Sequence, residues 1–215
     1  MASFFGGKGK FGGGTATESE RVSRHSSGWG QLLGRMRGEQ PLRVLDIGPT
    51  SSTNINFVTE LGHSIYLANL VEDAARSEWL VPNEDDEGTH FDVDRFLAAH
   101  LDFSGRDFDV VLFWDTADYL PVELVAPALE RIHSVMAPGG ELLAMFHSPA
   151  SAGVTNTDFH RYHLTNTNAV DVQRAGEYPI RATYTNRQIE RLFESYQGFH
   201  FFLGKDNVRE IVVVR

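Results

Sequence analysis

Short apolar runs alternate with amphipathic segments between Leu42 and Ser148, and this alternation constrains the fold more than any other feature of the sequence. The first run, residues 42–47, follows Pro41 and ends at Gly48, as a buried parallel strand does. Parallel strands need crossover connections, so helices cover both faces of their sheet. We therefore predict an α/β fold with a doubly wound, Rossmann-like and mostly parallel sheet. The later strands are predicted at residues 64–70, 91–93, 108–114 and 141–147.

The helices between these strands are predicted from capping residues and apolar spacing. Pro127 fits the first turn of the helix before the last parallel strand, where its missing N–H costs nothing. Ser51 or Ser52 is suited to cap the helix after the first strand. The buried face of that helix is predicted to contain Ile55, Val58 and Leu61.

The C-terminal part of the chain follows a different pattern. Thr185 and Gln188 have the spacing of a capping box at the start of a helix. Two apolar runs follow, at residues 199–203 and 209–214. Their connection is too short for a parallel crossover, so we predict an antiparallel hairpin at the C-terminus.

Three regions are predicted along the chain. Residues 1–28 are glycine-rich and lack an apolar period, so we expect a flexible tail. Residues 29–215 are expected to form one domain. Within it, residues 148–183 are polar, and residues 161–164 and 170–173 can pair across a turn. This segment is expected to be either a lid on the substrate side or an arm through which the protein forms oligomers.

Composition excludes several classes of function. The net charge of −10 repels phosphate backbones, so duplex nucleic acid is not an expected partner. The chain has no cysteine, which excludes disulfides, thiolate metal sites and cysteine nucleophiles. No apolar run is long enough to span a membrane, and no secretory signal is visible. A cytoplasmic protein without a membrane partner is therefore expected.

Three pieces of the sequence resemble the class I S-adenosylmethionine-dependent methyltransferases in their order and spacing. They are residues 44–48 (Val-Leu-Asp-Ile-Gly), 108–112 (Phe-Asp-Val-Val-Leu) and 136–142 (Met-Ala-Pro-Gly-Gly-Glu-Leu). The resemblance covers roughly residues 42–215. It implies a seven-stranded sheet with an antiparallel last strand, S-adenosyl-L-methionine as cofactor, and methyl transfer to a small-molecule substrate. The cofactor-binding residues that it implies are Asp46, Gly48, Pro49, Thr50, Asn69, Leu70, Asp92, Val93 and Trp114.

The sequence departs from the family pattern in two places. The family's first turn reads acid-x-Gly-x-Gly-x-Gly, whereas here only Gly48 remains and Pro49, Thr50 and Ser52 follow. At the end of the second strand the family places a carboxylate for the ribose hydroxyls. Asn69 stands there instead, and an amide is a weaker acceptor than a carboxylate. Glu72, in the next turn, is an alternative acceptor.

The remaining contacts leave alternatives open. Asp92, beside Val93, matches the acid that accepts from the adenine amine in the family, but Asp94 and Asp102 are alternatives. Trp114 either covers part of the cofactor or packs in the core.

The catalytic residues are not determined by the sequence, and the candidates are Asp115, Tyr119 and His147 at the sheet edge. Asp118, His160 and His163 lie beyond the same edge. His160 and His163 share a face only on a helix, and no third ligand is evident, so no metal site is predicted.

Two further hypotheses about the function remain beside the methyltransferase. A catalytically inactive protein that keeps this fold for binding or scaffolding is the alternative, because the first loop has lost its glycines. A nicotinamide-dependent oxidoreductase is disfavoured by the missing Gly-x-Gly-x-x-Gly.

Overall fold

A computed structural model describes residues 20–84, 88–103, 105–149, 157–204 and 206–215. Within these ranges no helix has the length and apolar character needed to cross a membrane. The elements in chain order are β1 (Arg21–His25), α1 (Ser27–Met36), β2 (Arg43–Ile47), α2 (Ser52–Glu60), β3 (Ser64–Ala68), α3 (Leu70–Ala74), a 3-10 helix (Ser77–Trp79), β4 (Leu80–Pro82), β5 (Thr89–Phe91), α4 (Val93–His100), β6 (Phe108–Trp114), α5 (Thr116–Tyr119), α6 (Val122–Ser134), β7 (Met136–His147), β8 (Thr157–Leu164), β9 (Ala169–Tyr178), α7 (Asn186–Leu192), β10 (Gln197–Leu203) and β11 (Val208–Val214).

The central sheet has six strands in the order β10-β11-β7-β6-β2-β3. Neighbours from β3 to β7 are parallel, whereas β11 runs antiparallel to both β7 and β10. This arrangement confirms the doubly wound sheet and its C-terminal hairpin. The chain leaves β2 to form β3 on one side and later forms β6 on the other side. The strand order therefore reverses between β2 and β6, and such a switch point is where ligands bind in open α/β sheets.

The strand count is six rather than the expected seven, because the strand predicted at residues 91–93 does not join the sheet. Phe91 ends β5, which pairs only with β4 in a small hairpin. Asp92 instead caps α4, since its side chain accepts a hydrogen bond from the backbone N–H of Arg95. An Asp at this position stabilises the start of a helix, and Val93 becomes the first helical residue.

A second sheet has the antiparallel order β1-β9-β8. The predicted pairing of residues 161–164 with 170–173 is present, with Arg161 opposite Gln173 and Leu164 opposite Val170. The third strand, β1, comes from the segment expected to be a flexible tail. Strand β1 therefore lies before the predicted boundary at residue 29. Residues 1–19 lie outside the described residues.

Two helix predictions need correction. On α2, Val58 is buried as expected, but Leu61 is 37% exposed and Asn54 takes its place on the buried face. Pro127 lies inside α6 rather than in its first turn, because the helix already begins at Val122. The missing N–H leaves one helical hydrogen bond unmade. Packing compensates, because most neighbouring apolar side chains of α6 are completely buried.

Glu210 ties the N-terminal elements to the central sheet. Its buried carboxylate, on β11, forms an ion pair with Arg24 of β1 at 2.5 Å. The same carboxylate accepts hydrogen bonds from the Ser26 hydroxyl at 3.1 Å and the Gly28 N–H at 2.8 Å. Glycine at position 28 allows this close approach, since a Cβ would lie 2.5 Å from the buried Leu143 side chain and displace it.

We expect Glu210→Ala to lower the free energy of unfolding by about 3–5 kcal/mol, because it removes the carboxylate that pairs with Nη1 of the part-buried Arg24 and accepts from two buried donors. Chemical denaturation measures this change. Asp206→Ala is the matched control, because Asp206 pairs with the same Arg24 but its side chain is 43% exposed. In Asp206→Ala the free energy of unfolding is expected to fall by less than about 1 kcal/mol. Equal losses in the two variants would contradict this role of Glu210.

Candidate functional site

A cleft of about 260 Å³ opens at the carboxyl ends of β2 and β3. Its inner side is formed by the turn after β2 and by the start of α3. Its outer side is formed by the β8–β9 hairpin, which covers the edge of the central sheet. The lining residues are Pro49, Thr50, Asn69 and Glu72 on the inner side and Phe159, Arg161, Ala175 and Tyr178 on the hairpin.

Asn69 leaves an unsatisfied acceptor in this cleft. It precedes α3 but does not cap the helix through its side chain. Instead its amide N–H₂ donates to the Glu72 carboxylate at 2.7 Å. Its Oδ1 is buried and accepts no hydrogen bond from the part of the chain that the structure describes. A buried acceptor without a donor costs about 1–3 kcal/mol, so a ligand hydroxyl at this position would be stabilising.

The bottom of the switch point is closed by Asp46 and Trp114. The buried Asp46 carboxylate accepts hydrogen bonds from the indole N–H of Trp114 at 2.7 Å and from the amide of Asn54 at 2.8 Å. Burial raises the pKa of Asp46 to about 6, although both hydrogen bonds act in the opposite direction. Trp114 has a φ of +48°, which is strained for a residue with a Cβ. A Cβ on Gly48 would lie 3.3 Å from the indole, so only glycine fits without displacing Trp114.

Tyr162 of the hairpin covers this indole. The two rings are stacked, with centroids 4.7 Å apart and planes 9° from parallel. The Tyr162 hydroxyl donates to the buried Asp115 carboxylate at 3.0 Å. The hairpin thereby reaches across the switch point and contacts the residues that follow β6.

Asn54 and Ser51 fix the edge of β8. The Asn54 amide donates to the Tyr162 carbonyl at 2.9 Å and accepts from the Leu164 N–H at 2.7 Å, in the manner of a neighbouring strand. Ser51 caps α2 as expected and also bonds His163 at 2.8 Å. These contacts join the first turn of α2 to the hairpin.

An acid–histidine cluster lies next to the covered switch point. The fully buried Asp118 carboxylate accepts from the N–H and from Nδ1 of His147, at 2.6 and 2.8 Å. Burial raises the pKa of both Asp115 and Asp118. Burial alone would lower the pKa of His147, but its hydrogen bond to Asp118 and the two nearby carboxylates outweigh this effect. The pKa of His147 therefore lies above its ordinary value of 6.5.

Aromatic rings separate this cluster from the cleft. The Tyr119 ring contacts the His147 ring edge-on, with centroids 6.0 Å apart. The Tyr119 ring also contacts the Phe159 ring, with centroids 5.0 Å apart, and Phe159 lines the cleft. His160 and His163 lie on a strand and face different surroundings, because His160 lines a separate groove whereas His163 bonds Ser51.

The structure brings together only part of the predicted cofactor site. Pro49, Thr50 and Asn69 line the cleft, and Asp46, Gly48 and Trp114 form the closed switch point. Leu70 points into the core instead, and Asp92 and Val93 begin α4 without lining the cleft. The hairpin residues and Asn54 are absent from the predicted site, because no local motif shows which side chains of a hairpin face a distant strand end.

A family model described as a methyltransferase domain matches residues 22–199, which is most of the chain. The chain belongs to this methyltransferase family. No curated protein sequence matches it significantly.

Solved structures of methyltransferases resemble this family member in fold. The CcbJ methyltransferase from Streptomyces caelestis has a TM-score of 0.51 at 13% identity, with 86% of this chain and 92% of that chain covered. An amino pentose methyltransferase from Micromonospora echinaspora, solved with S-adenosylmethionine, has a TM-score of 0.44 at 12% identity, with 87% and 91% covered. A Burkholderia thailandensis 1,6-didemethyltoxoflavin-N1-methyltransferase, solved with S-adenosylhomocysteine, has a TM-score of 0.44 at 12% identity, with 88% and 79% covered.

The raised pKa of Asp46 predicts a pH-dependent stability. The folded state holds this proton up to about pH 6, whereas the ordinary value is 3.8, so folding is favoured at low pH and the benefit is lost as the pH rises through 6. From about pH 4.5 to about pH 7.5, the wild type is expected to lose about 2 kcal/mol of unfolding free energy relative to Asp46→Asn. Urea denaturation of both proteins measures the difference, in which the contributions of other carboxyls cancel. If the unfolding free energies of the two proteins change with pH by the same amount, the raised pKa of Asp46 is contradicted.

Proposed function

We propose that this chain is an S-adenosylmethionine-dependent methyltransferase that acts on a small molecule. The observation that carries the proposal is the unsatisfied Asn69 acceptor beside the Glu72 carboxylate, in a cleft at the ends of β2 and β3, next to the switch point of a methyltransferase-family sheet. Two adjacent acceptors at the end of β3 suit a ribose, which carries two neighbouring hydroxyl donors.

The cleft fits part of the cofactor as it stands. Its volume of about 260 Å³ is slightly below that of most small-molecule sites, which begin at about 300 Å³. Asn69 and Glu72 would hold the ribose, while Pro49 and Thr50 would face the chain that leads to the sulfur. Pro49 has no N–H to offer, so the turn after β2 contributes less than the family's glycine-rich turn does. When bound, the cofactor supplies an electrophilic methyl group.

The acid–histidine cluster supplies a base for the acceptor. The Nδ1 atom of His147 is held by Asp118, which leaves Nε2 as the nitrogen that can take a proton. Asp118 fixes the ring orientation and stabilises the imidazolium that forms. We place the acceptor where Tyr119 and Phe159 now lie between His147 and the cleft. This placement requires the Phe159 side chain to turn away from Tyr119 while β8 keeps its hydrogen bonds to Asn54.

Calorimetric titration with S-adenosylhomocysteine tests cofactor binding. We expect saturable binding by the wild type and a roughly tenfold loss in Asn69→Ala, because a hydrogen bond in a desolvated site is removed. Asn83→Ala is the control, since Asn83 lies outside the cleft. No binding at millimolar ligand would reject the proposal. Binding of the cofactor without methyl transfer to any acceptor would favour the alternative, a binding protein that keeps the fold.

We expect His147→Gln to lower kcat by roughly a hundredfold or more, because general-base catalysis is removed. Transfer of an isotope-labelled methyl group to a panel of small amines, phenols and carboxylates measures the rate. In the wild type, kcat should rise with pH through a midpoint above 6.5, where His147 loses its proton. Asp118→Asn should shift this midpoint downward, since a neighbouring negative charge is removed. An unchanged rate in His147→Gln would show that positioning alone drives the transfer.

A further inference from the structure

We propose that Arg161, on β8, binds the carboxylate at the amino-acid end of the ligand in the cleft, so that the ligand is a nucleoside joined to a free amino acid. This inference rests on the proposed function and assigns to the hairpin a recognition role that the turn after β2 has lost.

Arg161 lines the cleft and carries one unsatisfied donor. The residue lines the hairpin side, opposite Asn69 and Glu72. Its Nη1 donates to Gln173 at 3.3 Å, across the β8–β9 pair. Its Nε is buried, and no acceptor from the described part of the chain lies within hydrogen-bond distance. The two walls of the cleft therefore each include a residue with one buried polar atom that has no partner among the described residues, Oδ1 of Asn69 on one wall and Nε of Arg161 on the other.

These two unsatisfied atoms define the chemistry of a matching ligand. On one wall the Asn69 amide oxygen can accept a hydrogen bond from a ligand hydroxyl. On the other wall the Arg161 guanidinium can donate to an anionic group. A guanidinium binds carboxylates in preference to neutral groups, because its planar set of N–H donors matches the two carboxylate oxygens. A ligand with a ribose at one end and a carboxylate at the other end would provide hydrogen-bond partners for both Asn69 and Arg161.

The turn after β2 offers fewer donors for this role than a glycine-rich turn does. Pro49 has no N–H, and the hydroxyl of Ser51 is already engaged by the N–H of Asn54 and by His163. The Ser51 side chain is thus used by the cap of α2 and by the hairpin. A cation on the opposite wall compensates for the lost backbone donors.

The hairpin provides its own control residue. Arg161 and Ala175 face the cleft, whereas Arg174 lines a groove on the other face of the same two strands. Arg174 forms ion pairs with Asp158, at 2.5 Å, and with Glu177. Replacing Arg174 therefore removes an equal charge from the same hairpin without touching the cleft.

The test compares two ligands that differ only in the carboxylate, S-adenosylmethionine and decarboxylated S-adenosylmethionine, by calorimetric titration. The wild type should bind the first roughly tenfold to a hundredfold more tightly, as expected for a charge-assisted hydrogen bond. Arg161→Gln should bind both ligands with the affinity of the wild type for the decarboxylated one. Arg174→Gln should keep the wild-type preference. Thermal unfolding midpoints of the three proteins verify that each is folded.

The possible failures are distinguishable. If the wild type binds neither ligand, the proposed function is rejected and this inference with it. If the wild type binds both ligands equally, or if Arg161→Gln keeps the preference, the role of Arg161 is rejected while the proposed function stands. The comparison of ligands on the wild type needs no variant, so the inference can be overturned even if Arg161→Gln does not fold.

Discussion

The buried carboxylate of Asp46 holds together the two strand ends between which the sheet reverses. It lies on β2, accepts the indole N–H from the end of β6, and accepts the Asn54 amide from α2. An ionised carboxylate at this depth requires donors on both oxygens, because an unpaired buried charge is far more costly. The need for these donors explains why Trp114 adopts a left-handed conformation and why Asn54 replaces an apolar residue on the buried face of its helix.

The Asn54 amide extends this arrangement to the cover of the site. Its second N–H and its oxygen bond the backbone of β8, an edge strand with no neighbour of its own on that side. One side chain thus joins the first strand, the following helix and the hairpin. The fixed backbone at Tyr162 holds its ring against the Trp114 indole. The distance between the turn after β2 and the hairpin wall, and therefore the cleft itself, depends on these contacts.

Local signals predict the fold well where neighbouring residues decide the structure. The buried strand at residues 108–114, the serine cap at Ser51 and the capping box at Thr185 are all present, because each depends on residues within a few positions. The strand predicted at residues 91–93 is lost because the capping preference of Asp92 prevails over two apolar neighbours. Long-range pairing explains the other difference. Strand β1 forms only because β9, far along the chain, offers it an edge.

The same distinction applies to the candidate site. Pro49, Thr50 and Asn69 reach the cleft because they directly follow strands, and the ends of parallel strands meet at one edge of the sheet. No comparable rule predicts which residues of the β8–β9 hairpin line the other wall of the cleft. Whether Arg161 or its neighbour His160 faces the cleft depends on the register and orientation of the whole hairpin, which a bulge between Phe159 and His160 also alters. Sequence spacing does not determine the register or the orientation of the hairpin.

The position of that wall depends on both ends of the chain. Strand β8 pairs with β9, and β9 pairs with β1, whose Arg24 is bound by Glu210 of the last strand. An antiparallel strand at the edge of a parallel sheet therefore does more than extend the sheet. Through one buried ion pair, β11 anchors the three-stranded cover over the switch point. A hairpin anchored in this way at one edge and bonded to Asn54 at the other is held on two sides, which gives Arg161 a fixed place opposite Asn69.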